Sequence, residues 1–187
     1  LLNLGLGVNV AADIETRVTS SVNGAMIVNT QSLPVKVTPY ALISYLYVPG
    51  AYQDWSPATA ETLVSATSNG IYIGYINFLA PNSGFKITTA RNWDNSYGTT
   101  DNTNLVYNGG SDMKAANAGY QKLTVNTNTL TFVLEAYSWG IIGDATPGGW
   151  DSDTDMKWNS ANQTWEIASV PLTGGKEIKF RLNDAWA

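Results

Sequence analysis

Apolar and polar positions alternate in short runs along most of this chain, and the runs stop at glycine, asparagine or proline. Residues 42–48, 71–78, 123–125 and 130–134 are β-branched or aromatic stretches of this kind and predict strands. No window keeps an apolar stripe at helical spacing with capping residues at its ends, so no helix is predicted. Asn126-Thr127-Asn128-Thr129 separates two of the strands as a hairpin turn, and Asn108-Gly109-Gly110 marks a second tight reversal. Short strands at this spacing predict an all-β fold of antiparallel sandwiches.

The pattern also repeats. Gly50, Tyr72, Lys86 and Trp93 recur 93 positions later as Gly143, Trp165, Lys179 and Trp186, while Trp55 recurs 95 positions later as Trp150. A period of this length is too long for a solenoid and predicts tandem domains, each with its own small core. We place the first module at 40–136 and the second at 137–187. The second reads as truncated, since the first continues past Trp93 to Glu135. Residues 1–39 match neither copy; 11–18 and 34–38 read as the last strands of a preceding β-domain, so both chain ends read as cuts through domains.

Composition narrows the chemistry. The chain has neither cysteine nor histidine, which excludes disulfides, thiolate nucleophiles, imidazole acid–base catalysis and most zinc sites. Ten basic against fifteen acidic residues, with a pI near 4.5, argue against a nucleic-acid partner. No stretch approaches a membrane span of about 20 apolar residues, and the opening Leu1-Leu2-Asn3-Leu4-Gly5-Leu6 lacks the basic start of a signal peptide. Few charges beside abundant Asn, Thr, Ser, Gly, Trp and Tyr fit an extracellular β-domain.

Trp55 and Trp150 each end a loop rich in Gly or Pro, where little surrounds the indole. Such a ring either faces a ligand or folds back as a lid over the sheet edge, and its recurrence favours the ligand. Lys86 and Lys179 each precede the next repeated tryptophan by seven residues. Period-two alternation directs Phe180 and Leu182 to a core and Lys179 and Arg181 to the opposite, solvated face. An indole platform, a second ring at an angle and a cationic or amide donor are the groups a sugar needs: its C–H face packs on the ring and its hydroxyls take fixed partners. A curved α-1,4-glucan suits two rings set as an arc, and repetition adds avidity. Tyr72, Trp139, Trp158 and Trp165 lie within strands and are assigned to packing.

Asp151-Ser152-Asp153-Thr154-Asp155 imitates the start of a calcium loop, but Met156 stands where glycine is needed and Asn162 where the bidentate glutamate belongs. It reads as a solvated acidic turn, with no metal and no cofactor expected. Glycoside hydrolysis needs two carboxylates across a cleft, and no acidic position recurs in both copies, so no enzyme is expected.

The stretch Trp139-Gly140-Ile141-Ile142-Gly143-Asp144-Ala145-Thr146-Pro147-Gly148-Gly149-Trp150-Asp151, followed by Ile178-Lys179-Phe180-Arg181, Asn183 and Trp186, resembles the SusE/SusF family of Bacteroidetes outer-membrane lipoproteins. The run ending in Val35-Lys36-Val37-Thr38-Pro39 is similar to the end of that family's N-terminal immunoglobulin-like domain, and the resemblance implies tandem immunoglobulin-like β-sandwich domains. The resemblance implies a non-catalytic lipoprotein at the cell surface, carrying tandem starch-binding modules and held to the outer membrane by a lipid anchor outside this chain. It implies starch or malto-oligosaccharide as ligand and other outer-membrane glycan-uptake proteins as partners. Carried over, the first site is Trp55, Lys86 and Trp93, with Asp112 at the place of the family's amide. The second is Trp150, Lys179 and Trp186, with Arg181 beside the lysine. Binding of a different glycan, and a structural or adhesion array with the tryptophans as lids, remain the alternatives.

Overall fold

The computed structural model describes residues 5–7, 10–22, 26–39 and 42–186. Most of the opening apolar run (1–4), Tyr40 at the expected module boundary and the terminal Ala187 lie outside the described residues. The chain divides into two compact units, Leu1–Ile43 with Ala66–Ser68, and Ser44–Ser65 with Asn69–Ala187. Among the described residues the regular elements are strands apart from two short 3-10 turns, and no helix is long and apolar enough to cross a membrane.

In the first unit, β1 (Ala12–Thr16), β2 (Thr19–Val22), β3 (Met26–Asn29) and β4 (Leu33–Val37) form two antiparallel pairs. β1 joins β4 in the register Ala12↔Val37 to Thr16↔Leu33, matching the strands expected over 11–18 and 34–38. The hairpin of β2 with β3 is additional; its Thr-Ser-Ser run carries no apolar alternation to announce it.

The second unit opens with β5 (Ser44–Val48), β6 (Glu61–Ser65), β7 (Ile71–Phe78), β8 (Ser83–Phe85) and β9 (Ile87–Thr88). It continues through β10 (Ser96–Thr99), β11 (Leu105–Tyr107), β12 (Met113–Ala115), β13 (Gly119–Asn126) and β14 (Thr131–Ala136). Eight of these make one antiparallel sheet in the order β11-β10-β9-β5-β6-β7-β13-β14, and β8 pairs with β12 beside it. Alternation sorts the side chains. On β7 Ile76 and Phe78 are fully buried while Ile71, Ile73 and Asn77 face out; on β13 Leu123 and Val125 are buried between exposed or half-buried neighbours. Phe85 of β8 lies 5.3 Å from Phe78 and 6.0 Å edge-on from Phe132, so the two sheets close on one aromatic and aliphatic cluster. Each such fully buried side chain contributes about 1.5–3 kcal/mol. Gly74 sits where a Cβ would come within 2.5 Å of the Thr62 carbonyl, so β6 and β7 approach closely only because this residue has no side chain.

The turn expected at 126–129 connects β13 to β14, with the Asn126 carboxamide accepting from the Asn128 and Thr129 amides at 3.0 and 3.2 Å. The reversal at 108–110 follows β11, with Gly110 at φ +75°.

Beyond it, β15 (Trp139–Ile142), β16 (Thr154–Asp155), β17 (Lys157–Asn159), β18 (Thr164–Glu166) and β19 (Lys179–Leu182) complete the unit as a sheet β16-β15-β19 and a β17–β18 hairpin. Gly140↔Arg181 on β15 and β19 repeats, 93 positions on, the Tyr47↔Thr88 pairing of β5 with β9. Gly50 and Gly143, also 93 apart, play one role: a Cβ on Gly50 would strike the Gly84 carbonyl, and one on Gly143 the Glu177 carbonyl.

Trp158 and Trp165 do pack, but on the outer face of the eight-stranded sheet. Tyr75 of β7 lies 4.5 Å from Trp158 and 5.4 Å from Trp165, Tyr120 of β13 lies 4.8 Å from Trp165, and Tyr137 lies 4.9 Å from Tyr75. The Tyr120 hydroxyl also accepts from the Trp158 amide at 3.1 Å. The expected core-facing position of Phe180 is corrected: its ring is 64% exposed at the outer edge of β19, although its partner Ile141 on the neighbouring β15 is buried.

Candidate functional site

In the second copy the loop between β15 and β16 is sewn to itself and to the segment before β19. The Gly143 amide donates to the Gly149 carbonyl at 2.9 Å, the buried Thr146 hydroxyl to the Gly143 carbonyl at 2.9 Å, and the Ala145 amide to the Glu177 carbonyl at 3.2 Å. Asp144 answers by accepting from the Glu177 amide at 2.8 Å, which, with Lys176 at 3.1 Å, holds its carboxyl below the usual range. The loop therefore presents Trp150 from a fixed base. Trp150 is 42% exposed and Trp186 57%, and their ring centroids lie 6.2 Å apart with planes inclined by 39°. The Lys179 ammonium sits between them, 5.6 Å from one ring and 5.7 Å from the other.

Arg181 is not on a solvated face. Its guanidinium lies 5.0 Å from the Trp186 ring and pairs with Asp153 through bonds of 3.0 and 2.5 Å, the two side chains being 11% and 4% exposed. The room comes from Gly140, opposite Arg181 on β15: a Cβ there would lie 3.0 Å from both Cβ and Oδ2 of Asp153. The acidic run is thus not a uniformly solvated turn, and Asp153 is the neighbour of the expected site that sequence reasoning missed. A glycine facing an arginine across two strands was the available signal. Asp184 hydrogen-bonds Asp153, and this bond, with desolvation and repulsion from Asp153 and Asp155, lifts its carboxyl above the usual range against the pull of Arg181. Among the described residues, no three His, Cys, Asp or Glu gather into a metal site.

The first copy is arranged differently. Asp54 and Trp55 both take positive φ, +58° and +59°, a conformation that an indole-bearing residue adopts only when its surroundings hold it. The hold is visible: Trp55 donates its amide to the Gly50 carbonyl at 3.0 Å, and the Gln53 carboxamide brackets Ser56 with bonds of 2.6 and 2.8 Å. The half-buried indole lies over Gly84, where a built Cβ would meet its Cζ2 at 3.1 Å and the Asp112 Cβ at 3.7 Å. Lys86 turns to the 109–112 loop, donating to the Gly110 carbonyl at 3.1 Å and lying 3.7 Å from Asp112. Trp93 is 46% exposed, and no ring or cation stacks on it among the described residues. Trp55, Asp112 and Lys86 thus neighbour one another around Gly84, while no ring pair like that of the second copy forms.

Residues 44–132, the span from β5 into β14, match the family model described as the pullulanase X25 domain. A solved structure, SusF from Bacteroides thetaiotaomicron, matches this chain at 13% identity and a TM-score of 0.43. The match covers 93% of this chain and 46% of that one, so the chain spans about half the length of that protein. No curated protein matches.

Proposed function

We propose that this chain binds starch or malto-oligosaccharide without turnover, at the outer-membrane surface of a bacterium, as a lipoprotein-borne part of a glycan-uptake assembly. The observation that carries the reading is the Trp150–Trp186 pair: two exposed indoles tilted by 39° with one lysine between them. A tilted pair follows a curved chain, stacking on successive pyranose faces while Lys179 donates to their hydroxyls. Arg181, held by Asp153, fixes Trp186 from beneath and is a positioning residue. The pullulanase X25 match over 44–132 and the SusE/SusF-like motif support an α-glucan as the ligand class.

In this reading the chain comprises the end of an immunoglobulin-like domain (1–39) and two tandem carbohydrate-binding sandwiches (40–136 and 137–187). The recurrence of the Gly50 and Gly143 close approaches and of the β5–β9 and β15–β19 register supports it. Trp55, Lys86, Asp112 and Trp93 make the first site. One observation favours the lid reading there: the Trp55 ring rests on Gly84 and Lys86 is tied to a loop, so this copy is the weaker site.

The test is calorimetric titration of maltoheptaose, with cellohexaose and a xylan oligomer as controls. Selective α-glucan binding that disappears in Trp150→Ala/Trp186→Ala is expected. Retention of affinity in that variant removes the platform, and binding of only a β-linked control replaces starch by another glycan.

A further inference from the structure

A cavity of about 570 Å³ opens where the β17–β18 hairpin and the β19 end meet the eight-stranded sheet. Its size falls within the roughly 300–1,000 Å³ of small-molecule sites. Two rings on its wall are fixed by packing: Tyr120 by its edge contact with Trp165 and its bond from the Trp158 amide, Tyr137 by its contact with Tyr75. Asn77 and Asn117 also line it, and neither carboxamide hydrogen-bonds a described residue. Elsewhere asparagines are mostly spent on turns, as Asn69, Asn92, Asn126 and Asn159 are. Asn183, a third amide at the rim, is likewise used up, accepting from the Ser138 amide and donating to the Ala136 carbonyl. Asn77 lies opposite Tyr120 on the outward face of β7 and β13, so its free carboxamide stands beside a fixed ring.

Asp155 and Asp184 against Lys157 give the wall an excess of negative charge, which disfavours phosphate or carboxylate ligands. A cation would be drawn by these carboxylates, but it has no use for two amides that each offer a donor beside an acceptor. A ring bearing hydroxyls uses both, and an aromatic wall takes its C–H face. We propose that this cavity is a second glycan site, a pocket for one or two neutral sugar units such as the end of a chain, distinct from the open Trp150–Trp186 platform. It rests on the reading of the chain as a glycan binder but not on the platform.

The test is titration of maltose, glucose and glucose 6-phosphate into the full chain, its Trp150→Ala/Trp186→Ala variant and two pocket variants. Asn77→Ala removes the free carboxamide beside Tyr120, and Ala118→Trp fills the cavity from an exposed turn that also lines it. Maltose binding is expected to survive loss of the platform, to weaken by about fivefold or more in Asn77→Ala, as loss of a hydrogen bond near 1 kcal/mol implies, and to vanish in Ala118→Trp. Glucose 6-phosphate is expected to bind more weakly than glucose. If Asn77→Ala misfolds, Ala118→Trp decides alone. Maltoheptaose binding to the intact chain with no maltose binding to the platform variant overturns the pocket and leaves the platform standing. Silence of the intact chain towards every sugar overturns both. Unchanged maltose affinity in Ala118→Trp overturns the pocket alone.

Discussion

Asp153→Ala removes the carboxylate that holds Arg181, and its cost can be worked from the geometry. Both side chains are nearly buried, at 4% and 11% exposure, and joined by two hydrogen bonds, so the substitution leaves a nearly buried guanidinium without its hydrogen-bonded carboxylate. Breaking such a pair from one side costs about 3–5 kcal/mol, and at about 2–4 °C per kcal/mol for a chain of this size the melting midpoint falls by roughly 6–20 °C. Thermal melts followed by near-ultraviolet circular dichroism read the effect directly. The same variant weakens maltoheptaose binding, since Trp186 loses the fixed cation 5.0 Å from its ring. The double variant Asp153→Leu/Arg181→Met separates the two effects: an apolar pair of similar volume restores stability but not the cation under Trp186. A midpoint within about 1 °C of the parent in Asp153→Ala would refute the reasoning, because the pair would then contribute no more than an exposed one.

Trp150→Ala and Trp186→Ala are each expected to shift stability by less than about 1 kcal/mol, since both are exposed surface residues, whereas Trp165→Ala is expected to cost about 3–5 kcal/mol by emptying the cluster with Tyr75 and Tyr120; equal losses in a urea titration would contradict the division. Gly140→Ala should lower stability by about 1–3 kcal/mol, because its Cβ must displace Asp153, and a neutral result in the same titration would show that the loop yields freely. Hydrogen bonds hold the Glu166 carboxyl, from Thr164, Asn159 and Asn162, and the Asp101 carboxyl, chiefly from Asn104, at about 2. Their contribution is therefore full above the ordinary carboxylate range and lost as pH falls towards 2, and Glu166→Gln should flatten that acid limb of the melting profile. Asp184 has the opposite sign: its raised pKa means stability present at low pH is lost as pH rises through it, so Asp184→Asn should raise the midpoint at pH 7, and a fall would count against the shared proton with Asp153.

Local signals carried well in this chain. The strand at 71–78 and the turn at 126–129 were legible because alternation and asparagine chemistry act within a few residues. Trp150, Lys179 and Trp186 were legible as a group through their spacing, and the structure brings them together. What escaped was decided across long separations. Alternation correctly put Phe180 and Arg181 on opposite faces of β19, but it cannot say which face is covered, and that depends on Gly140 and Asp153, far off in sequence. Trp158 and Trp165 were recognisable as packing residues, yet their partners Tyr75 and Tyr120 stand on the outward side of strands whose inward side already had a core. The two copies also differ in ways spacing conceals: Lys86 keeps its interval to Trp93 but is tied to Gly110 and Asp112 instead of a pair of rings.

The two tryptophan pairs have an optical consequence. Indoles 5.7 Å apart at 53°, as Trp158 and Trp165 are, and 6.2 Å apart at 39°, as Trp150 and Trp186 are, couple their transition dipoles and split their absorption into circular-dichroism couplets. One couplet originates at the seam between the hairpin and the eight-stranded sheet, the other at an open surface. The chain therefore carries two intrinsic chromophore dimers in different environments: melting of the seam erases the first, while a sugar settling on the surface pair shifts the second and leaves the first unchanged. Docking of the hairpin and occupancy of the surface can thus be followed in one unlabelled sample.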